Sequence, residues 1–102
     1  MHAMTRRFAG KGAKDLARLL EQKQAEVQKL MKEVPGLLSY NLIETADGCI
    51  SFTLCKDKAG TDRSLTAAKD WLKANAGNLG LEPPTVWDGK VLVHVGADVA
   101  AH

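Results

Sequence analysis

Several features that identify specialised classes of protein are scarce in this chain of 102 residues. It has 2 cysteines, too few for a small domain built on disulfide bonds. Its 14 basic residues are balanced by 12 acidic ones, so it lacks the one-sided charge of a dedicated nucleic-acid or membrane-surface binder. No apolar run approaches the ~20 residues that span a bilayer. We therefore expect no nucleic-acid partner and no membrane partner.

Length and composition predict one domain. The chain is 45% hydrophobic and 25% charged, which is typical of a globular protein of this size. We assign residues 1–102 to a single domain and expect residues 96–102 to form a frayed tail. The first residues lack the charged-then-apolar order of a secretory signal, and cysteine is scarce, so we expect a cytoplasmic protein in a reducing compartment.

Two amphipathic helices are predicted from apolar residues that recur every three or four positions. The first runs from Ala13 to Val34. The second is expected to begin at a cap on Thr61 or Asp62 and to end at Gly77 or Gly80. Their polar faces carry Lys, Glu and Gln, so each helix has one side suited to packing on a sheet.

Four strands are predicted where apolar and polar residues alternate. They cover residues 2–8, 37–44, 49–56 and 90–95. The two middle segments are separated by a short turn with a glycine, so they are expected to pair as a hairpin.

The turn also predicts the register of that hairpin. A three-residue turn over 46–48, with Gly48 in the left-handed conformation, pairs Thr45 with Cys49 and places Leu42 opposite Phe52. One face of the hairpin is then apolar, with Leu38, Tyr40, Leu42, Phe52 and Leu54. The other face is small and semi-polar, with Ser39, Asn41, Ile43, Ser51, Thr53 and Cys55.

The element order β-α-β-β-α-β predicts an α+β, ferredoxin-like fold. With right-handed crossovers it forms a four-stranded antiparallel sheet with both helices on one face. The other face is left without a cover. Because Ile43, Leu37 and Cys55 are expected there, we predict that a second copy of the chain covers it, in a homodimer.

RNA-recognition, acylphosphatase and small-molecule regulatory domains share this element order. An RNA-recognition domain would carry stacking aromatic residues on its third strand, where this chain has only Phe52. A regulatory domain normally accompanies a second domain, for which the chain has no room.

Four short segments carry a resemblance to a known family. They are residues 35–40 (PGLLSY), 57–60 (DKAG), 64–72 (SLTAAKDWL) and 89–94 (GKVLVH). In this order, after a long amphipathic helix, they resemble the dimeric α+β barrel superfamily that includes the antibiotic biosynthesis monooxygenases. Within it, the chain is most similar to a branch of small bacterial proteins without assigned activity. The resemblance covers nearly all of residues 3–95. It implies a homodimer whose sheets pack face to face, with a small cavity between each sheet and its helices.

The resemblance does not carry a catalytic residue onto this chain. Haem-degrading members of the superfamily use an Asn on the first strand with a Trp and a His in the second helical region. Here the first strand has no Asn, and the second helix has Trp71 but no His. The catalytic residues are therefore unknown at this point.

The candidate pocket residues are four aromatic residues and a histidine. Tyr40, Phe52, Trp71 and Trp87 are suited to lining a cavity for a flat organic ligand, with filling of the core as their alternative role. His94 is a candidate general base near that cavity, or a packing residue at the end of a strand.

Other reactive side chains indicate no specific site. His2, His94 and His102 lack the spacing of metal ligands, so no metal site is predicted. Cys49 and Cys55 are expected on the same face of one strand, about 20 Å apart, which is too far for a disulfide bond. They are predicted to be small buried residues.

Three basic residues near the start, Arg6, Arg7 and Lys11, are a candidate anion site, with a solvated edge as the alternative.

The chain has no phosphate loop, no nucleophile elbow, and no flavin, haem or metal motif, so no cofactor is expected. We predict a small homodimeric protein that binds a hydrophobic or aromatic molecule. The resemblance implies oxidation of that molecule by molecular oxygen, as in a cofactor-independent monooxygenase. The alternative is a non-catalytic dimeric binding or interaction module.

Overall fold

A computed structural model describes residues 1–96 and contains one four-stranded antiparallel sheet in the strand order β2-β3-β1-β4. The elements are β1 (His2–Ala9), α1 (Ala13–Gln22), α2 (Gln24–Lys32), β2 (Leu37–Thr45), β3 (Gly48–Cys55), α3 (Lys58–Asn75) and β4 (Thr85–Lys90). This confirms the predicted α+β ferredoxin-like fold. Of the predicted frayed tail, residues 96–102, only Gly96 is among the described residues.

The single first helix predicted over Ala13–Val34 is in fact two helices, α1 and α2, which meet at Lys23 (φ −102°, ψ 20°). Backbone hydrogen bonds continue across the junction, from Lys23 N–H to Leu19 and from Val27 N–H to Lys23. Residues 21–26 are all exposed, so no buried side chain holds a straight helix against the sheet there. The apolar periodicity resumes on the same side after the bend and therefore conceals it.

The last helix, α3, begins before the predicted caps. Asp57 is the N-cap, and its carboxylate accepts a hydrogen bond from the Gly60 N–H at 2.9 Å. The predicted caps, Thr61 and Asp62, lie within the first turns, where Thr61 is fully buried. Gly60 allows this close approach, since a Cβ at that position would lie 2.8 Å from the Cβ of Cys55.

The last strand, β4, ends where the prediction placed its beginning. It pairs with β1 from Arg7↔Thr85 to His2↔Lys90, which is the end of β1. The predicted strand over 90–95 is therefore wrong, because no β1 residue remains to pair with it. Residues 92–95 are instead exposed, including Leu92 at 88%.

The hairpin register differs from the prediction by one residue. Thr45 pairs with Gly48, so Leu42 lies opposite Ser51 and not opposite Phe52. Gly48 does not adopt the left-handed conformation. Glycine is required there for space, because a Cβ would collide with the carbonyl oxygen of Phe8 and the side chain of Ala13.

This register corrects the two predicted faces. Tyr40 and Leu42 share the helix-facing side of the sheet with small β3 residues, whereas Phe52 lies on the other side. The buried β3 residues beneath the helices are Cys49, Ser51, Thr53 and Cys55. Small residues in the middle of the sheet allow the helices to pack close to it, and the larger apolar residues of β3 point away.

The side of the sheet without helices, called the open face below, presents large apolar side chains. Ile43 is 47% exposed, Phe52 41% and Trp87 55%. Leu37 and Cys55, which were expected on this face, are not there: Leu37 packs against the core and Cys55 is fully buried. Among residues 1–96, no helix is both long and apolar enough to cross a membrane.

Candidate functional site

A cleft of about 320 Å³ opens between the α1–α2 region and β2. Its inner wall is apolar and includes Leu20, Val27 and Leu42. Its mouth is polar, with exposed residues from both sides: Glu21, Gln24, Gln28, Asn41 and Glu44. An apolar wall with a polar rim, at this volume, is typical of a site for a small organic molecule.

Two smaller voids lie further in, between the helices and the sheet. The larger, about 30 Å³, shares Leu20, Val27, Tyr40 and Leu42 with the cleft. The smaller, about 10 Å³, shares Arg6 and Tyr40 with the larger. We refer to the cleft and these two inner voids together as the helix–sheet cavity.

Arg6 is the charged residue at the inner end of the cavity. It lies on β1 between the buried Met4 and Phe8, on the helix-facing side, and is only 7% exposed. Its guanidinium carbon is 5.2 Å from the centre of the Phe8 ring, a cation–π distance. The buried Nε has no hydrogen-bond partner among residues 1–96. Burial lowers the pKa of Arg6, although arginine remains a cation in proteins at neutral pH.

Tyr40 and Trp71 form aromatic walls of the larger inner void. Burial raises the pKa of Tyr40, so its hydroxyl stays protonated at neutral pH. The Trp71 ring is held in place because its Nε1–H donates to the carboxylate of Glu26 at 3.0 Å, which links α3 to α2.

No protein-family model and no curated protein sequence matches the chain. Solved structures do match over most of its length. A Nitrosomonas europaea protein of unknown function, NE2512, is 21% identical with a TM-score of 0.69, and the match covers 94% of this chain and 92% of that one. The Streptomyces coelicolor monooxygenase ActVA-Orf6, in complex with nanaomycin D, is 19% identical with a TM-score of 0.64, covering 94% and 90%. A Chloroflexus aurantiacus protein described as an antibiotic biosynthesis monooxygenase is 15% identical with a TM-score of 0.60, covering 93% and 95%.

The chain has the antibiotic biosynthesis monooxygenase-like fold. The fold that the sequence resemblance implied is thereby confirmed. The sheet of this chain therefore has two different sides. The helix–sheet cavity lies on the side that the helices cover, and the open face is the opposite side.

This fold separates the five candidate pocket residues. Tyr40 and Trp71 line the helix–sheet cavity. Phe52 and Trp87 lie on the open face, where both pair with Thr5 from its two sides. His94 follows β4 and is exposed. Alternation along the strands is the reason, since aromatic residues on neighbouring strands share a site only if their register places them on one face.

The basic cluster is separated by the same alternation. Arg6 faces the cavity, whereas Arg7 faces the open side and pairs with Asp47 at 2.6 Å. Lys11 is exposed beyond the strand. The sequence identified Arg6 only as part of this cluster. The alternation of Met4 and Phe8 on either side of it is the signal that separates it from Arg7.

The two cysteines are free and buried, as predicted. Cys49 is 1% exposed and Cys55 is fully buried. Burial raises the pKa of Cys49 to about 11, so its thiol is protonated at neutral pH and is a poor nucleophile. They act as small packing residues that keep the sheet close to the helices.

Proposed function

We propose that the protein is a homodimer that binds a small hydrophobic or aromatic molecule in the helix–sheet cavity. The observation that supports binding is the open cleft of about 320 Å³ beside apolar walls. The buried Leu20 and Val27 form its apolar wall, and concave sites with an apolar wall and a few polar groups are where proteins bind small molecules.

Blocking the cleft is expected to remove binding without disturbing the core. Gln28 is exposed and lines the cleft, so the indole in Gln28→Trp would occupy the space of the ligand. Calorimetric titration with naphthol should give an affinity at least about tenfold weaker for this variant than for the wild type.

Gln22→Trp is the matched control, because Gln22 is exposed on α1 but does not line the cleft. It should bind naphthol as the wild type does. If the wild type and Gln28→Trp bind naphthol with equal affinity, naphthol binds at a site other than the cleft. A wild type that binds none of a set of benzene and naphthalene derivatives would refute the proposal.

The open face supports the homodimer. Ile43, Phe52 and Trp87 expose apolar surface there, and such patches in solution are commonly covered by another protein surface. The charge of Arg7 on the same face is paired with Asp47 at 2.6 Å, so two copies of this face can meet without like charges opposing each other. A two-fold contact between identical faces satisfies both observations.

Oxidation of the bound molecule is the second candidate function. It is supported by the likeness of the fold to the Streptomyces coelicolor monooxygenase. For a hydroxylated aromatic ring, one oxygen atom of O₂ would enter the ring to form a quinone. The other would leave as water with the hydroxyl hydrogen and the hydrogen from the attacked ring carbon.

An oxygen electrode tests this second function directly. With a panel of quinols and polyphenols, we expect protein-dependent oxygen uptake for at least one compound, with one O₂ consumed for each quinone formed. Uptake equal to the protein-free control for every compound would contradict oxygenation. Binding without turnover would favour the alternative, a non-catalytic dimeric binding or interaction module.

A further inference from the structure

We propose that the ligand of the helix–sheet cavity is an aromatic anion, whose ionised oxygen, in a carboxylate or a phenolate, pairs with Arg6. This inference rests on the proposed binding function and adds the charge of the ligand to it. It assigns to Arg6 the role of a binding residue that selects between charged and neutral ligands of one shape.

The first support is the isolation of the Arg6 charge. The side chain is 7% exposed and lies between Met4 and Phe8 on β1, one of the two inner strands of the sheet. A buried cation without a counterion is costly, and folded proteins normally pair it. Within residues 1–96, no carboxylate lies within 4 Å of its guanidinium, and its Nε lacks a hydrogen-bond partner.

The second support is the placement of the ion pairs that the chain does make. The pairs that arginine and lysine side chains make within residues 1–96 are Arg7–Asp47, Arg18–Asp15 and Lys58–Asp62, and all have substantial exposure. Water already solvates those charges, and their pairing contributes little. Arg6, for which a partner would matter most, has none in the described part of the chain. A ligand that brings the counterion resolves this imbalance.

The third support is the chemistry of the surrounding wall. Tyr40 and Ser51 line the same inner void as Arg6, and each carries a hydroxyl that can donate to an anionic oxygen. Because burial raises the pKa of Tyr40, this hydroxyl keeps its proton at neutral pH. A cation and two hydroxyl donors at one end of an apolar cavity are suited to an oxyanion.

The cavity also gives the ligand a direction. The inner voids of about 30 and 10 Å³ are too small for a ring but are adjacent to the cleft of about 320 Å³. The ring would lie in the cleft against Leu20, Val27 and Leu42, with its anionic group directed inward. Glu21 and Glu44 at the mouth are exposed, so solvent screens their charge far more than that of Arg6.

Calorimetric titration with naphthoate and naphthamide tests the inference, because the two compounds share one ring system and differ in charge. The wild type should bind naphthoate about 10–100-fold more tightly than naphthamide, as expected for a hydrogen bond to a charged group. Arg6→Met should bind naphthoate no more tightly than naphthamide, with the naphthamide affinity unchanged. Arg6→Lys should retain a preference for naphthoate, so the test does not depend on one variant.

Nitrophenol tests the phenolate case, as the second arm of the experiment beside naphthoate, because its ionised form has its own absorption band. Bound to the wild type, its pKa should fall, and bound to Arg6→Met it should not. A response of one arm alone identifies the oxyanion as a carboxylate or a phenolate. The control Arg7→Met should behave as the wild type in both arms.

The outcomes separate this inference from the proposed function. If wild type binds naphthoate and naphthamide equally and nitrophenol without a pKa change, or if the preference for the anion survives in Arg6→Met, the inference is overturned and the binding function stands. If none of the three compounds, nor benzoate and benzamide, binds to the wild type, both are overturned.

Discussion

The Arg6→Met variant is expected to unfold at a higher temperature than the wild type. Methionine keeps most of the apolar length of the side chain and removes a buried, unpaired charge, whose desolvation costs about 1–3 kcal/mol or more. Loss of the contact with the Phe8 ring, 5.2 Å away, offsets part of this gain, because cation–π contacts contribute about 0.5–2 kcal/mol. We expect a net stabilisation of about 1 kcal/mol, or a rise in Tm of about 4–8 °C.

Thermal unfolding followed by circular dichroism checks this result, with Arg7→Met as the control. Arg7 and Asp47 are both substantially exposed, so losing their ion pair should change stability by less than about 1 kcal/mol. A lower Tm for Arg6→Met would mean that the guanidinium stabilises the fold. A gain in stability combined with a loss of anion binding is instead the usual signature of a functional residue that the fold tolerates at a cost.

The Phe52→Glu variant is expected to dissociate the proposed homodimer. Phe52 lies near the centre of the open face, where Thr5 of β1 separates it from Trp87 on β4. A carboxylate there would be buried in an apolar contact without a counterion, so we expect the dissociation constant to rise at least about 100-fold. Because Phe52 is 41% exposed in the single chain, the substitution should leave the fold of each subunit intact.

Light scattering at micromolar concentration measures this directly. The wild type should have the mass of two chains and Phe52→Glu that of one, with unchanged far-ultraviolet circular dichroism. Ala74→Glu is the control, since Ala74 is exposed on α3 and the variant adds the same charge away from the open face. A wild type with the mass of one chain, or a Phe52→Glu variant that stays dimeric, would show that this face is not the interface.

The sequence predicted the architecture because its main signals are local. The alternation in β1, β2 and β3 and the apolar stripe of α1 and α2 depend on near neighbours in the chain, and the element order then leaves few topologies. The bend at Lys23 was missed because it does not change which side of the helices is apolar.

The predictions of register and face were wrong where a contact between distant parts of the chain determines the structure. Gly48 was interpreted through the turn it adjoins, but its role is to let β3 pass close to Phe8 and Ala13. With Thr45 paired to Gly48, the hairpin pairs as far as Ser39↔Leu54 each shift by one residue from the predicted register. Since a one-residue shift changes the face of a side chain, Phe52 moved from the expected cavity side to the open face.

The sequence by itself determined the fold, and two of its five candidate pocket residues, Tyr40 and Trp71, line the cavity. The sequence analysis did not distinguish Arg6, which is buried, from Arg7, which is substantially exposed and paired with Asp47. Alternation places Arg6 and Arg7 on opposite sides of β1, but only the tertiary structure decided which side the helices cover and which arginine is paired. The helices cover one side and leave the Arg6 charge without a partner within residues 1–96, while no helix covers the side that carries Arg7.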